Sequence, residues 1–353
     1  MAKQQSIGLD IGSTAVRAAE IAFSAGGVGG ELRAYREVPL PDGAVRDGEV
    51  VDATVVSAAL KELFSGSKFS SKEVILGVGN QRVAVRALTL PWAPFDQLRA
   101  SLPYQVQDLL PMPVDEALLD YYPVEESHEN DIRSYDGLLV AAARDTVSAN
   151  VKCAEQAGLL PVGVDLNAFA LLRAMTRGRL AQGNVAIVDI GAHITTVVIA
   201  SDGDPQFVRA LPIGGQAMTD SFARASGVGP NEAERIKCEL GMNAVKYPEL
   251  RDGAEAMNEV ATKLVEAIRG TFGYFTSASG GEHLDVVALT GGSAHMPGLG
   301  QYLASSSRLN AILGDPLETT TFAKSVGDRT QFEANAVTMT TALGLGYGVG
   351  ALV

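Results

Sequence analysis

The chain of 353 residues is poor in the side chains that build metal cages, disulfide frameworks and histidine-based catalytic sites, with two cysteines and four histidines. Two cysteines make neither a four-ligand metal site nor a disulfide scaffold. Cys153 and Cys238 fall on predicted helices among apolar neighbours and read as reduced, structural residues. His128, His193, His283 and His295 are scattered, without metal-ligand spacing, and no carboxylate beside them suggests a catalytic pair. Excess positive charge is also missing. Lys and Arg number 28 against 41 Asp and Glu, a net charge of -13, which disfavours a nucleic-acid partner and electrostatic adhesion to an anionic leaflet. No stretch of about 18 uninterrupted apolar residues predicts a membrane helix. The polar start, Met1 to Ser6, offers no signal-peptide core, so a cytoplasmic location is expected. The Gly-x-x-x-x-Gly-Lys-Ser/Thr loop and the Gly-x-Ser-x-Gly elbow are both absent, which sets aside P-loop and hydrolase-elbow chemistry. The 38 glycines are spread over turns and helix ends, not gathered into one dinucleotide fingerprint.

What is present is a motif written twice. Ile7-Gly8-Leu9-Asp10-Ile11-Gly12-Ser13-Thr14 recurs as Ala186-Ile187-Val188-Asp189-Ile190-Gly191-Ala192-His193. Each copy predicts a buried strand and a tight hairpin, with return strands over Val16 to Ile21 and Thr195 to Ala200, and third strands over Glu31 to Leu40 and Pro205 to Ile213. Gly12 and Gly191 sit at the turns, where a missing β-carbon lets backbone N–H groups approach an anion. Ser13, Thr14 and Thr195 offer hydroxyl donors. Asp10 and Asp189, at the strand ends, suit a hydrated magnesium ion, which keeps several of its waters. One copy alone is also just a strand followed by a turn. Two copies predict facing hairpins that clamp a polyphosphate and its metal.

A third glycine-rich element follows a strand at Asp285 to Thr290. Gly291, Gly292 and Ser293 leave a flat backbone surface for a nucleobase, and a helix is expected to start near Pro297. These three elements resemble the two phosphate motifs and the adenosine motif of the actin, Hsp70 and sugar-kinase ATPase superfamily. The segment Pro94 to Tyr121, with Pro111-Met112-Pro113 in it, narrows the resemblance. So do Ile213-Gly214-Gly215, the helix Ala233 to Lys237 and the stretch Thr341 to Gly346. Together they resemble the PilM family, cytoplasmic actin-like proteins of type IV pilus assembly related to the division protein FtsA.

The resemblance implies an α/β actin-like ATPase fold: two RNase H-like halves, each with an inserted subdomain. The expected division is 1–81 with 162–181 for the first core, 82–161 for its insert, 182–213 with 279–353 for the second core, and 214–278 for a helical insert. A helix is expected over 52–65 and a strand over Val74 to Gly79. The first insert reads as strand, helix from Phe95, two strands, and a helix from Asp145 to Gly158 with Asp145 as its N-cap. Gly26 to Gly30 reads as a flexible turn, Glu125 to Asp131 as an acidic loop.

ATP and magnesium are the cofactors that the resemblance implies, and whether the chain hydrolyses ATP stays open. Gly214 and Gly215 join the nucleotide-binding set. Glu234 and Lys237, three apart on one helix face, would face the ribose or form a solvated ion pair, and Asn231 with Glu234 reads as a capping box. His193 donates to phosphate or merely covers the site. Asp165, where a strand passes into the helix leading to the second half, orients an attacking water or caps that helix. The implied partner is the N-terminal peptide of a PilN-like membrane protein, held in a groove between the 82–161 subdomain and the first core. The helix from Phe95, with Leu98, Leu102, Val106 and Leu109, lines that groove or covers a core. Other inner-membrane components and self-association complete the expected contacts, and membrane attachment would be indirect. An FtsA-like anchor and a small-molecule kinase of the same superfamily are the alternatives. The segment Gly344 to Val353 is neutral and lacks the basic amphipathic character of a membrane-binding helix.

Overall fold

A computed structural model of the chain describes residues 4–23, 29–129, 132–327 and 329–348. The predicted turn at Gly26 to Gly30, the tip of the acidic loop and the last five residues fall wholly or partly outside them. Along the chain run β1 (Gln4–Ile11), β2 (Ala15–Phe23), β3 (Gly30–Pro39), β4 (Val45–Arg46), β5 (Glu49–Val50), α1 (Ala53–Ser65) and β6 (Glu73–Val78). The insert supplies β7 (Val83–Pro91), α2 (Phe95–Val106), β8 (Ala117–Glu129) and β9 (Ile132–Ala143), followed by α3 (Arg144–Gln156), β10 (Leu160–Leu166) and α4 (Asn167–Met175). The second half holds β11 (Asn184–Ile190), β12 (Thr195–Ser201), β13 (Asp204–Leu211), α5 (Gly215–Ser226), α6 (Pro230–Glu239), α7 (Arg251–Ala278), β14 (Val286–Thr290), α8 (Leu299–Ser307) and β15 (Asn310–Leu313). Last come β16 (Thr320–Phe322), α9 (Thr330–Ala334) and α10 (Thr340–Gly346).

The repeated motif grows into repeated topology. The first sheet runs β10-β6-β1-β2-β3-β16 and the second β15-β14-β11-β12-β13. In each, two antiparallel hairpins (β1-β2-β3 and β11-β12-β13) continue into two parallel strands (β6-β10 and β14-β15). The central strands are near-continuous apolar runs because helices cover both faces, as parallel sheets require. Leu9, Val16, Val56, Leu60 and Leu76 fill one core, and Val188, Val197, Met218, Phe222, Leu264 and Ile268 another.

Two boundaries and one helix cap differ from the sequence expectation. Residues after Pro316 return to the first half instead of staying with the second: β16 pairs with β3, and Leu343 and Tyr347 pack with Ala19 and Ile21. Nothing local in the sequence marks that long-range pairing. Helix α3 also belongs to the first core, where Cys153 and Ala154 pack with Leu60 and Leu63, so the insert proper is β7-α2-β8-β9. Asp145 is not the N-cap of α3. That position is Ala143, without a side-chain bond, and the Asp145 carboxylate instead accepts from Arg82 at 2.8 Å, a charge-assisted bond that competes with capping. The cysteines differ from each other: Cys153 is buried as expected, whereas Cys238 is exposed.

Candidate functional site

Both hairpins close in the same way. Gly12 N–H donates to Ala15 O at 3.0 Å and Gly191 N–H to Ile194 O at 3.0 Å. A β-carbon on Gly12 would lie 3.0 Å from that carbonyl, and on Gly191 2.8 Å, so the turns need glycine for space. The glycine N–H groups are therefore used inside the turns. Among the described residues, the N–H groups of Ser13, Thr14, Ala192 and His193 carry no backbone bond, and these are the donors available to an anion.

The turns face one another across a cleft of about 560 Å³. Asp10, Gly12, Ser13 and Thr14 line it from the first half; Asp189, Gly191 and His193 line it from the second. Helix α5 points its N-terminus at the same place. Gly215 N–H bonds Gly191 O at 2.9 Å and Gln216 N–H bonds Ala192 O at 2.8 Å, which pins the positive end of the helix dipole against the second turn. Gly214 and Gly215 do not line the cleft. Their β-carbons would strike Ala192 O at 2.5 Å and Ser293 Oγ at 1.9 Å, so they permit close packing behind the turn, and Gln216 and Thr219 reach the cavity instead.

At the other end, Gly291, Gly292 and Ser293 lie opposite Glu234 and Lys237. Gly291 has φ +87°, and a β-carbon there would meet Asp189 Oδ1 at 2.6 Å, so this loop closes directly over the second carboxylate. Lys237 is buried, 2.7 Å from Glu234 and 3.2 Å from Gly215 O. Burial would raise the Glu234 carboxyl, but bonds from Lys237 and Thr219 outweigh it and hold it below its usual range. The pair is thus a wall of the cleft, not a solvated surface bridge. The capping box is corrected: Gly229 is the N-cap of α6, Pro230 takes the first turn, and Asn231 is already helical.

Asp10 is buried and Asp189 is partly buried at the cleft wall. Desolvation raises each, and the charge of Asp10 adds to the push on Asp189, which reaches about 7. Two carboxylates on opposite walls of the cleft, without a cluster of three or more acidic, imidazole or thiol groups that could hold an ion among the described residues, suit a cation that brings most of its own ligands. Hydrated magnesium on a polyphosphate fits that donor set.

Two further sequence-based assignments do not reach the cleft. The Thr195 hydroxyl is buried and donates to Ile213 O at 2.8 Å; its neighbour Thr196, on the opposite strand face, lines the cavity. Asp165 is tied to Arg173 and accepts from Leu166 N–H, and it neither faces the cleft nor caps α4, whose N-cap is Leu166. The side chain that does reach the cavity is Asn167, two residues on. Its Oδ1 is buried with no partner among the described residues. Gly77 and Gly79 make room for it, since β-carbons there would lie 2.2 Å from Asn167 Oδ1 and 2.9 Å from Asn167 Cβ. Arg17 was also missed. It stands opposite Asp10 in the β1-β2 register and lines the cleft. That register, counted from the turn, is the signal that would have found it.

Asp165 instead lines a second cavity, about 170 Å³, on the far side of the β6-α4 wall. Leu118, Tyr122 and Val140 of the insert face Val78, Leu166 and Phe169 of the first core there. Tyr122 and Phe169 have ring centroids 5.3 Å apart. Helix α2 does not line this groove. Leu98, Leu102 and Val106 bury themselves against Leu90, Tyr121 and Leu139, on the other face of the three-stranded sheet, and Leu109 is exposed.

A five-strand arrangement repeated in a six-stranded and a five-stranded sheet, around a polar cleft, defines an actin-like ATPase fold. Similar solved structures bear this out. A PilM-PilN type IV pilus biogenesis complex is 24% identical, covers 97% of each chain and superposes with a TM-score of 0.85. MreB5 of Spiroplasma citri bound to ADP is 15% identical over 97% of this chain and 94% of its own, with a TM-score of 0.51. The profile of the type IV pilus assembly protein PilM family matches residues 8–347, and the chain belongs to that family. A curated relative, the cell division protein FtsA of Bacillus subtilis (strain 168), is 27% identical over 106 residues, which is 30% of this chain and 24% of the relative's length. No helix among the described residues is long and apolar enough to cross a membrane.

Proposed function

We propose that this protein is a nucleotide-binding scaffold that binds ATP with magnesium in the large cleft and a PilN-like N-terminal peptide in the small groove. The observation that carries the first half is the pair of identical turns presenting free N–H groups and carboxylates to one cavity. Ser13, Thr14, Ala192 and His193 bind phosphate oxygens; Asp10 and Asp189 hold magnesium through its waters. Gly291, Gly292 and Ser293 carry the base, and Glu234 and Lys237 face the ribose. Magnesium supplies charge neutralisation on the phosphates. Asn167, whose side-chain amide lines the cleft, positions an attacking water in place of Asp165. Asn167→Ala is expected to slow hydrolysis while ATP affinity stays within a few fold, because only the transition state uses the group; equal loss of both sinks that role.

Family membership and the complex of a similar protein with PilN support the second half. The groove is apolar and lies where the insert meets the first core, so an extended peptide with alternating apolar side chains is its complement. Attachment to the inner face of the membrane then runs through the partner. Labelled peptide titrated by fluorescence anisotropy tests it. Phe169→Ala and Leu118→Asp each weaken peptide binding at least about tenfold, the scale of a buried aromatic or apolar anchor, and leave ATP binding in place. Unchanged peptide affinity, or cross-links to the second half, places the partner elsewhere.

A further inference from the structure

Arg17 is the one arginine lining the large cleft among the described residues. Its position is unusual for a cation. It stands opposite Asp10 on β1 and opposite Glu37 on β3, so three charges, minus, plus and minus, form a row across three strands on one face of the sheet. Directly opposed residues in such a sheet are within reach of one another, and Arg17 has a choice of two carboxylates. It takes one. Arg17 Nε donates to Glu37 at 2.5 Å, and no ion pair to Asp10 forms.

The unused edge of the guanidinium lies beside the phosphate turn. A β-carbon placed on Gly12 would be 3.3 Å from Arg17 Nη1 and 3.8 Å from Asp10 Oδ2, so the cation and the carboxylate flank the same point without joining. Arg17 is mostly buried at 15% side-chain exposure, whereas Glu37, at 43%, stands outside the cleft lining. With Glu37 exposed to solvent, which screens the pair, its contribution to stability is modest. Its consequence is positional.

We propose that Glu37 is a positioning residue for the phosphate end of the cleft: it holds the Arg17 guanidinium off Asp10, leaving that carboxylate for hydrated magnesium and the Nη edge for phosphate. The inference rests on the nucleotide reading above. Without Glu37, the nearest anion to Arg17 is Asp10, and the pair that forms between them neutralises the metal-side carboxylate. Outer partners that orient a metal-binding group typically matter ten- to a hundredfold in metal affinity.

The test is titration with a fluorescent ATP analogue in magnesium and in chelator, with thermal melting on each variant. The readout is the magnesium-dependent gain in affinity, which a purely structural role for Glu37 leaves alone. Glu37→Ala is expected to cut that gain about tenfold, and Glu37→Thr, better suited to a strand, to do the same. Glu37→Gln keeps most of it, since its amide oxygen still accepts from Arg17 Nε. In an Arg17→Met background, Glu37→Ala changes nothing further, as one pathway is removed only once. An unchanged gain in folded Glu37→Ala, or independent, additive losses in the double variant, overturns the proposal. A wild-type protein that binds nucleotide with no magnesium dependence overturns the metal reading itself, and this inference with it.

Discussion

The two Asp-Ile-Gly hairpins share one backbone and differ in what stands opposite the carboxylate. In the first, Asp10 faces Arg17 across the strand pair; in the second, Asp189 faces Thr196. Desolvation raises both carboxyls, but Arg17 pulls Asp10 back directly, whereas Asp189 takes the added repulsion of Asp10 and climbs to about 7. Duplication thus keeps the turn and lets the flanking charge diverge. The first hairpin carries a cation opposite its carboxylate; the second carries a threonine there.

The largest effect expected from that asymmetry is on stability against pH. A carboxyl raised in the folded state makes the fold most stable below the unfolded value near 4, and that stability is lost as pH rises through the folded value near 7. A shift of this size corresponds to a loss on the order of 4 kcal/mol in metal-free protein across that window. Chemical denaturation from pH 4 to 8 in chelator should show the decline, and Asp189→Asn should flatten it. Asp10→Asn is expected to move the decline to lower pH, because the desolvation of Asp189 remains. Equal flattening by both variants breaks the claim that Asp189 owns the slope.

Next comes metal-linked binding. Asp10→Ala and Asp189→Ala are each expected to weaken magnesium-ATP by about a hundredfold, about 2.7 kcal/mol, while Cys153→Ala and Cys238→Ala leave it unchanged. Calorimetric titration decides the matter. Loss in only one aspartate variant would show that a single hairpin holds the metal.

Smaller, and equal in the two halves, is the cost of filling the turns. Gly12→Ala and Gly191→Ala press a methyl group onto the carbonyls of Ala15 and Ile194, at 3.0 and 2.8 Å. Each is expected to cost about 2 kcal/mol, typical of overpacking against fixed backbone. Denaturation midpoints measure it. A loss confined to one variant would mean that the two turns, alike in geometry, are unlike in rigidity.

How much of this was legible in the sequence divides along the same line. The duplicated Asp-Ile-Gly, the paired strands and the double glycine were readable because each is local: an apolar run, then a residue type demanded by a turn. Residues placed by parity were not. A shift of one position moves a strand side chain to the other face, which is why Thr195 was chosen where Thr196 lines the cleft. Asp165 was chosen where Asn167 does because the end of β10 and the first turn of α4 are set by tertiary packing. Long-range partners were likewise invisible: Arg17 with Glu37, and β16 with β3; for α2 the sequence left groove and core both open, and the stripe turns into the core of its own subdomain.

The smallest expected effect sharpens that parity directly. Thr195 and Thr196 are chemically identical neighbours on β12 with different duties. Thr195 is fully buried and its hydroxyl satisfies Ile213 O, on the link between β13 and α5. Thr195→Val keeps the shape and removes the donor, leaving a carbonyl short of a partner, which costs about 1 kcal/mol of stability. Nucleotide affinity should stay within twofold, because that hydroxyl never faces the cavity. Thr196→Val reverses the pattern: it removes a hydroxyl from the cleft lining and leaves the melting temperature close to wild type, while the affinity for magnesium-ATP falls a few fold, the scale of one neutral hydrogen bond. Measuring both quantities on both variants crosses the two readouts. If Thr195→Val alone weakens nucleotide binding, the strand runs one residue out of the register described, and the opposition of Asp189 to Thr196 goes with it.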